Sequence, residues 1–160
     1  MRAASLWYLG ELQQAISDYS KALELQPQDI IAHVGRGQVF AESGEFSRAI
    51  EDLDFVHDNL EQAQISDGSL KTQVQAYSFS GRALAHAGLG DFDRALSEFD
   101  QSIFLCPDNA FVHFNRAVVY ENEGRFADAF ADYKVSLQKN MPKLTALKRK
   151  YAEVKVRTIG

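Results

Sequence analysis

The chain has one cysteine in 160 residues, no run of apolar residues near membrane-spanning length, no glycine-rich phosphate loop and no HExxH pair. The single thiol, Cys106, excludes an internal disulfide and a cysteine-built metal site. It lies just before Pro107 at a helix end and reads as a buried structural thiol. A membrane-crossing helix needs roughly 18 consecutive apolar residues, and nothing here approaches that. The first ten residues, MRAASLWYLG, carry one charge and a short apolar stretch, and read as a helix rather than a signal peptide. A cytoplasmic location is the expectation. Serine, histidine and aspartate are all present, but no nucleophile motif frames them. No catalytic residue, metal or cofactor is expected.

The net charge of −5 is unevenly spread. From Lys139 onward there are seven Lys/Arg and one Glu; the rest carries 10 basic and 21 acidic residues. That distribution argues against a nucleic-acid footprint. The basic tail reads as the solvated face of a terminal helix. With 46% hydrophobic and 11% aromatic residues, the chain suits one domain with a continuous core.

What is present is repetition. Gly10–Pro27 (GELQQAISDYSKALELQP) returns as Gly44–Glu61, Gly90–Pro107 and Gly124–Met141. Each copy opens on Gly, with an apolar residue two places on: Leu12, Phe46, Phe92, Phe126. Three further comes Ala (Ala15, Ala49, Ala95, Ala129), then Tyr19, Leu53, Phe99 or Tyr133 four later, then Ala22, Val56, Ser102 or Ser136. The alanines are 34, 46 and 34 residues apart. Before each Gly a second helical stretch carries Arg and then a small residue at one register: Arg2-Ala3, Arg36-Gly37, Arg82-Ala83, Arg116-Ala117. The unit is helix, glycine turn, helix. Phe92, Ala95 and Phe99 show the i, i+3, i+7 spacing of a core-facing stripe. Small residues mark close helix–helix approach, where larger ones would overpack. One pair cannot bury its apolar face alone, so neighbours must stack.

On these residues the chain resembles the tetratricopeptide repeat (TPR) family. The resemblance implies an all-α fold, an α-α superhelix, that is, a right-handed solenoid of antiparallel helix pairs. The expected layout is a single domain over 1–160. It comprises a truncated first repeat (1–27), a second (28–61), an insertion (62–75), a third (76–109), a fourth (110–141) and a C-terminal capping helix (142–156). Helices are expected at about 12–25, 30–43 and from Phe46, with Asp29 capping the second and Asp108 or Asn109 a later one. The insertion carries a turn signal, Ile65–Ser69, and is expected to lengthen both flanking helices into a projecting hairpin. In the last helix Leu144, Leu147, Tyr151 and Val154 form an apolar face, expected to cover the fourth repeat with Lys and Arg turned to water.

The family resemblance implies a concave groove lined by first helices and a function in binding a partner peptide or helix. The matching positions here are Ile31, Val34, Gln38, Ala41 and Glu42; Tyr77, Ser80, Leu84, Ala87 and Gly88; and Phe111, Phe114, Asn115, Val118, Glu121 and Asn122. Tyr77, Phe111 and Phe114 are the expected anchors. The carboxylate clamp of chaperone-binding members is incomplete. Asn115 fits, but Ser80 and Leu84 stand where Lys and Asn are needed, and Leu147 follows Lys143 where Arg is needed. Arg36, Arg82 and Arg116 are expected to pair with Asp52, Glu98 and Asp132 as structural ion pairs, not to read a ligand. His33 and His113 share a register, so their recurrence belongs to the repeat. The alternatives are a structural fragment of a larger protein, self-associating through an N-terminal edge of Leu6, Trp7 and Tyr8, or the regulatory domain of an enzyme.

Overall fold

Gly44, Gly90 and Gly124 adopt left-handed backbone, with φ of 84°, 85° and 72°. Only glycine takes that conformation without strain, and each one ends the first helix of a pair. The computed structural model describes residues 11–139 and 146–159. Among the described residues every element is a helix: α1 Leu12–Leu25, α2 Ile30–Ser43, α3 Phe46–Asn59, α4 Gly68–Gly88, α5 Phe92–Leu105, α6 Ala110–Asn122, α7 Phe126–Gln138 and α8 Ala146–Ile159. The first helices open on side-chain caps. Asp29 accepts from the amides of Ile31 (2.9 Å) and Ala32 (3.1 Å), Asp67 from those of Ser69 and Leu70, and Asn109 from that of Phe111.

The chain divides into two compact units, 1–106 and 107–160. In the first, α2 packs against α1, α3 and α4, and α4 against α3 and α5. The repeated alanines Ala15, Ala49 and Ala95 are fully buried, as are Leu53 and Phe99. Leu53 sits between glycines of two adjacent first helices. A Cβ on Gly37 would come within 2.6 Å of it, and one on Gly81 within 2.7 Å. In the second unit α7 packs against α6 and α8. Its fully buried side chains include Val112, Ala117, Ala129, Tyr133 and Ser136.

The insertion departs from the expected hairpin. α4 is lengthened to 21 residues, but α3 keeps 14, the length of α1 and α2. After α3 the chain turns back: the amides of Gln62 and Ala63 bond Asn59 O, and that of Ile65 bonds Ala63 O. Leu60 joins the buried cluster of Ile30, Val34, Leu53, Val56 and Val74, and Ala63 and Ile65 pack against it. Leu60, Ala63 and Ile65 are used to fold the segment onto the core in place of the expected extension of α3. Burial against existing apolar surface outweighs the hydrogen bonds of two further helical turns in water.

Candidate functional site

Three acid–base clusters join first and second helices at one register. Asp52 on α3 takes Arg36 Nε at 2.7 Å and Nη2 at 2.8 Å, a bidentate pair. Asp132 on α7 takes Arg116 in the same way, at 2.6 and 2.9 Å. A histidine completes each: Nδ1 of His33 lies 2.8 Å from Asp52, and Nδ1 of His113 3.1 Å from Asp132. Their Nε2 atoms lie 3.0 and 3.2 Å from the carbonyls of Pro27 and Pro107. Burial pushes the Asp132 carboxyl up. The hydrogen bonds from Arg116 and His113 outweigh it and hold the pKa below its ordinary value. Arg36 and Arg116 make the pairs expected of them, with Asp52 and Asp132.

The third repeat breaks the rule. Phe79 stands at the register of His33 and His113, and His86 at that of Phe40 and Tyr120. Arg82 Nη2 pairs with Glu98 at 3.0 Å, and its Nε lies 3.4 Å from Asp54. His86 Nε2 is 3.8 Å from Glu98 Oε2, and among the described residues neither atom has a hydrogen-bond partner. Burial pushes Glu98 up against the pull of Arg82, and burial with Arg94 and Arg82 pushes His86 down. Phe79 borders a cleft of about 450 Å³ with Gln75, Ser97, Asp100, Gln101, Phe104 and Leu105. Phe104 there is 86% exposed.

The expected groove residues fall into two groups by access. In the first unit Ile31, Tyr77 and Leu84 are half-buried, while Val34, Gln38 and Ser80 are buried. Gln38 is spent internally, donating from Nε2 to the Tyr77 carbonyl. In the second unit Phe111, Phe114 and Asn115 are buried, Val118 and Glu121 half-buried, and Asn122 exposed. Phe111 and Phe114 lie under α8, with Lys148 Nζ 4.2 Å and 5.7 Å from their ring centres. Phe114, Tyr133 and Tyr151 meet edge to face at 5.8–6.1 Å. Tyr133 and Tyr151 hydroxyls donate to Glu121 at 2.7 and 3.3 Å, and Lys155 bonds its other oxygen. Burial pushes the Glu121 carboxyl up, but the Lys155 and Tyr133 hydrogen bonds prevail and lower it.

The face that α8 turns inward matches the expected one at Tyr151, which meets Phe114, Tyr133 and Glu121, but not at Val154. Ala152 is fully buried, while Tyr151 and Val154 remain 41% and 47% exposed. Lys148 and Lys155, expected in water, are half-buried. The surface beneath offers aromatic faces and a carboxylate, and these select cations. Lysine stems also cover apolar surface while the heads stay polar. Apolar periodicity alone could not signal this. Leu144 and the N-terminal edge of Leu6, Trp7 and Tyr8 lie outside the described residues, as does the Leu147 side chain.

Known proteins share the pattern. A family model described as TPR repeat matches residues 5–44, and one described as tetratricopeptide repeat matches 80–142. The chain belongs to the tetratricopeptide repeat family. Tetratricopeptide repeat protein 6 of Homo sapiens is 23% identical over 124 residues, 78% of this chain and 21% of that protein. Hsp70-Hsp90 organizing protein of Triticum aestivum is 30% identical over 95 residues, 58% of this chain and 16% of that protein. The chain thus spans about a fifth of the length of these relatives. A tetratricopeptide repeat protein from Parabacteroides merdae has the same fold, with a TM-score of 0.64 at 21% identity over 99% of this chain and 61% of that one. TPR proteins generally mediate protein–protein interactions and are generally non-catalytic. No described helix is long and apolar enough to cross a membrane, and no described cluster of His, Cys, Asp and Glu suits a metal.

Proposed function

We propose that this TPR chain is a non-catalytic scaffold that binds a protein segment, a peptide or a helix, on the face formed by its first helices. The observation that carries the reading is in the first unit. Ile31 on α2 and Tyr77 on α4 pack against one hydrophobic cluster from adjacent first helices, yet both keep some access to solvent. Leu84 lies two turns further along α4. A rigid aromatic flanked by aliphatic side chains is the composition of a binding hot spot. In the second unit Val118 and Asn122 keep access to solvent and are the residues we assign to the same role. The cytoplasm is the compartment we assign to this activity.

The test is affinity capture from native lysate, read by mass spectrometry, with the wild-type chain beside Ile31→Ser/Tyr77→Ser. A partner retained by the wild type and lost from the double variant, at equal helicity, supports the reading. Capture of the same partner by both sinks it.

A further inference from the structure

The second unit carries its own occupant. Lys148, Tyr151, Ala152 and Lys155 share one face of α8, at positions i, i+3, i+4 and i+7. Ala152 is fully buried, and the other three meet groups built without α8. Lys148 lies over Phe111 and Phe114. Tyr151 and Lys155 converge on Glu121, which the Tyr133 hydroxyl already orients at 2.7 Å. The seat is therefore preorganised by α6 and α7. Among the described side chains of α8 Ala152 alone is fully buried. The others that touch the seat stay partly exposed: the Tyr151 ring, 41% exposed, meets Phe114 and Tyr133 edge to face, and the Tyr151 hydroxyl and the lysine heads are groups that water also satisfies. Residues 146–159 hold five Lys/Arg and one Glu, a poor composition for a permanent core helix.

We propose that α8 is a displaceable intrachain ligand, and that the surface beneath it docks a partner's amphipathic helix with a small residue between two cationic ones. The proposal rests on the protein-interaction reading above and names the chemistry of the partner at this face. A partner helix gains the aromatic seat only at the expense of α8, so apparent affinity is reduced by the fraction of time the seat is open.

The test uses a fluorescein-labelled peptide with the sequence of residues 146–159, titrated into the full chain by anisotropy. Hydrogen exchange of α8 is followed in parallel. The wild type should bind weakly. Full-chain Ala152→Glu should release α8, speed its exchange and bind the peptide at least about tenfold tighter. Adding Glu121→Lys should abolish the gain. Lys155→Glu is the milder second variant, should Ala152→Glu disturb more than α8. Three results overturn the proposal: α8 released with no gain in peptide affinity; α8 still protected in both variants; or α6 and α7 losing protection whenever α8 leaves, the mark of a purely structural cap. Capture that depends on Ile31 and Tyr77, with no peptide gain, would remove this proposal and leave the scaffold reading standing.

Discussion

Phe79 and His86, seven residues apart on α4, hold each other's places relative to the neighbouring repeats. In the second and fourth repeats the histidine comes first and ties the buried acid to a proline carbonyl. The aromatic comes later and lies beside arginines: Arg36 and Arg48 are 5.6 and 4.1 Å from Phe40, and Arg116 and Arg125 5.6 and 4.5 Å from Tyr120. The third repeat has no proline to tie, because the insertion stands there. Its phenylalanine borders a cleft, and its histidine reaches a buried glutamate only at 3.8 Å.

The clusters should therefore differ in strength. Asp132→Asn breaks a buried bidentate pair and is expected to cost about 3–5 kcal/mol. Glu98→Gln removes a carboxylate that burial already disfavours, and should cost under about 2 kcal/mol. Urea unfolding at neutral pH measures both. A larger loss from Glu98→Gln would reverse the ranking.

Acid should act through Asp132. Its folded pKa is depressed. The stability it contributes is complete above the unfolded value of about 3.9 and is lost as pH falls through the lower folded value. The Glu98 carboxyl is raised and works the other way: its ionisation costs stability as pH rises through its folded value. Asp132→Asn should flatten the acid limb of the stability profile of residues 107–160, read by hydrogen exchange between about pH 5 and pH 2. An unchanged limb would locate the acid sensitivity elsewhere.

Ala95 is fully buried where α5 meets its neighbours. Ala95→Leu should lower stability by about 1–3 kcal/mol through overpacking. Gly37→Ala should behave similarly, since its new methyl would lie 2.6 Å from Leu53. Thermal melts followed by circular dichroism test both, and unchanged midpoints would mean the helix faces are misassigned.

The turn that leads from α3 into the insertion is anchored in the core by Leu60. Leu60→Ala should cost about 2–5 kcal/mol, as expected for a buried leucine. A floppy or projecting segment would show almost no change in the denaturation midpoint.

Much of the architecture is legible in the sequence. The glycine turns and the caps at Asp29 and Asn109 rest on constraints within a few residues, and the alanines and the Arg–acid register on contacts within one helix pair, so they recur wherever the repeat recurs. The groove positions could be named the same way, but not their access. Phe111 reads as an exposed anchor until Lys148 is placed over it.

Local sequence decided where helices begin and end and which positions every repeat must keep small or apolar, because helix periodicity and left-handed turns are short-range properties. Three features needed the packed chain: the return of Leu60, Ala63 and Ile65 onto the cluster around Val34, the rotation of α8 that turns Lys148 and Lys155 inward, and the isolation of Glu98 from His86. Each is a competition between surfaces distant in sequence for the same apolar area or charge. Such competitions are settled by which partners fit once the helices are in place.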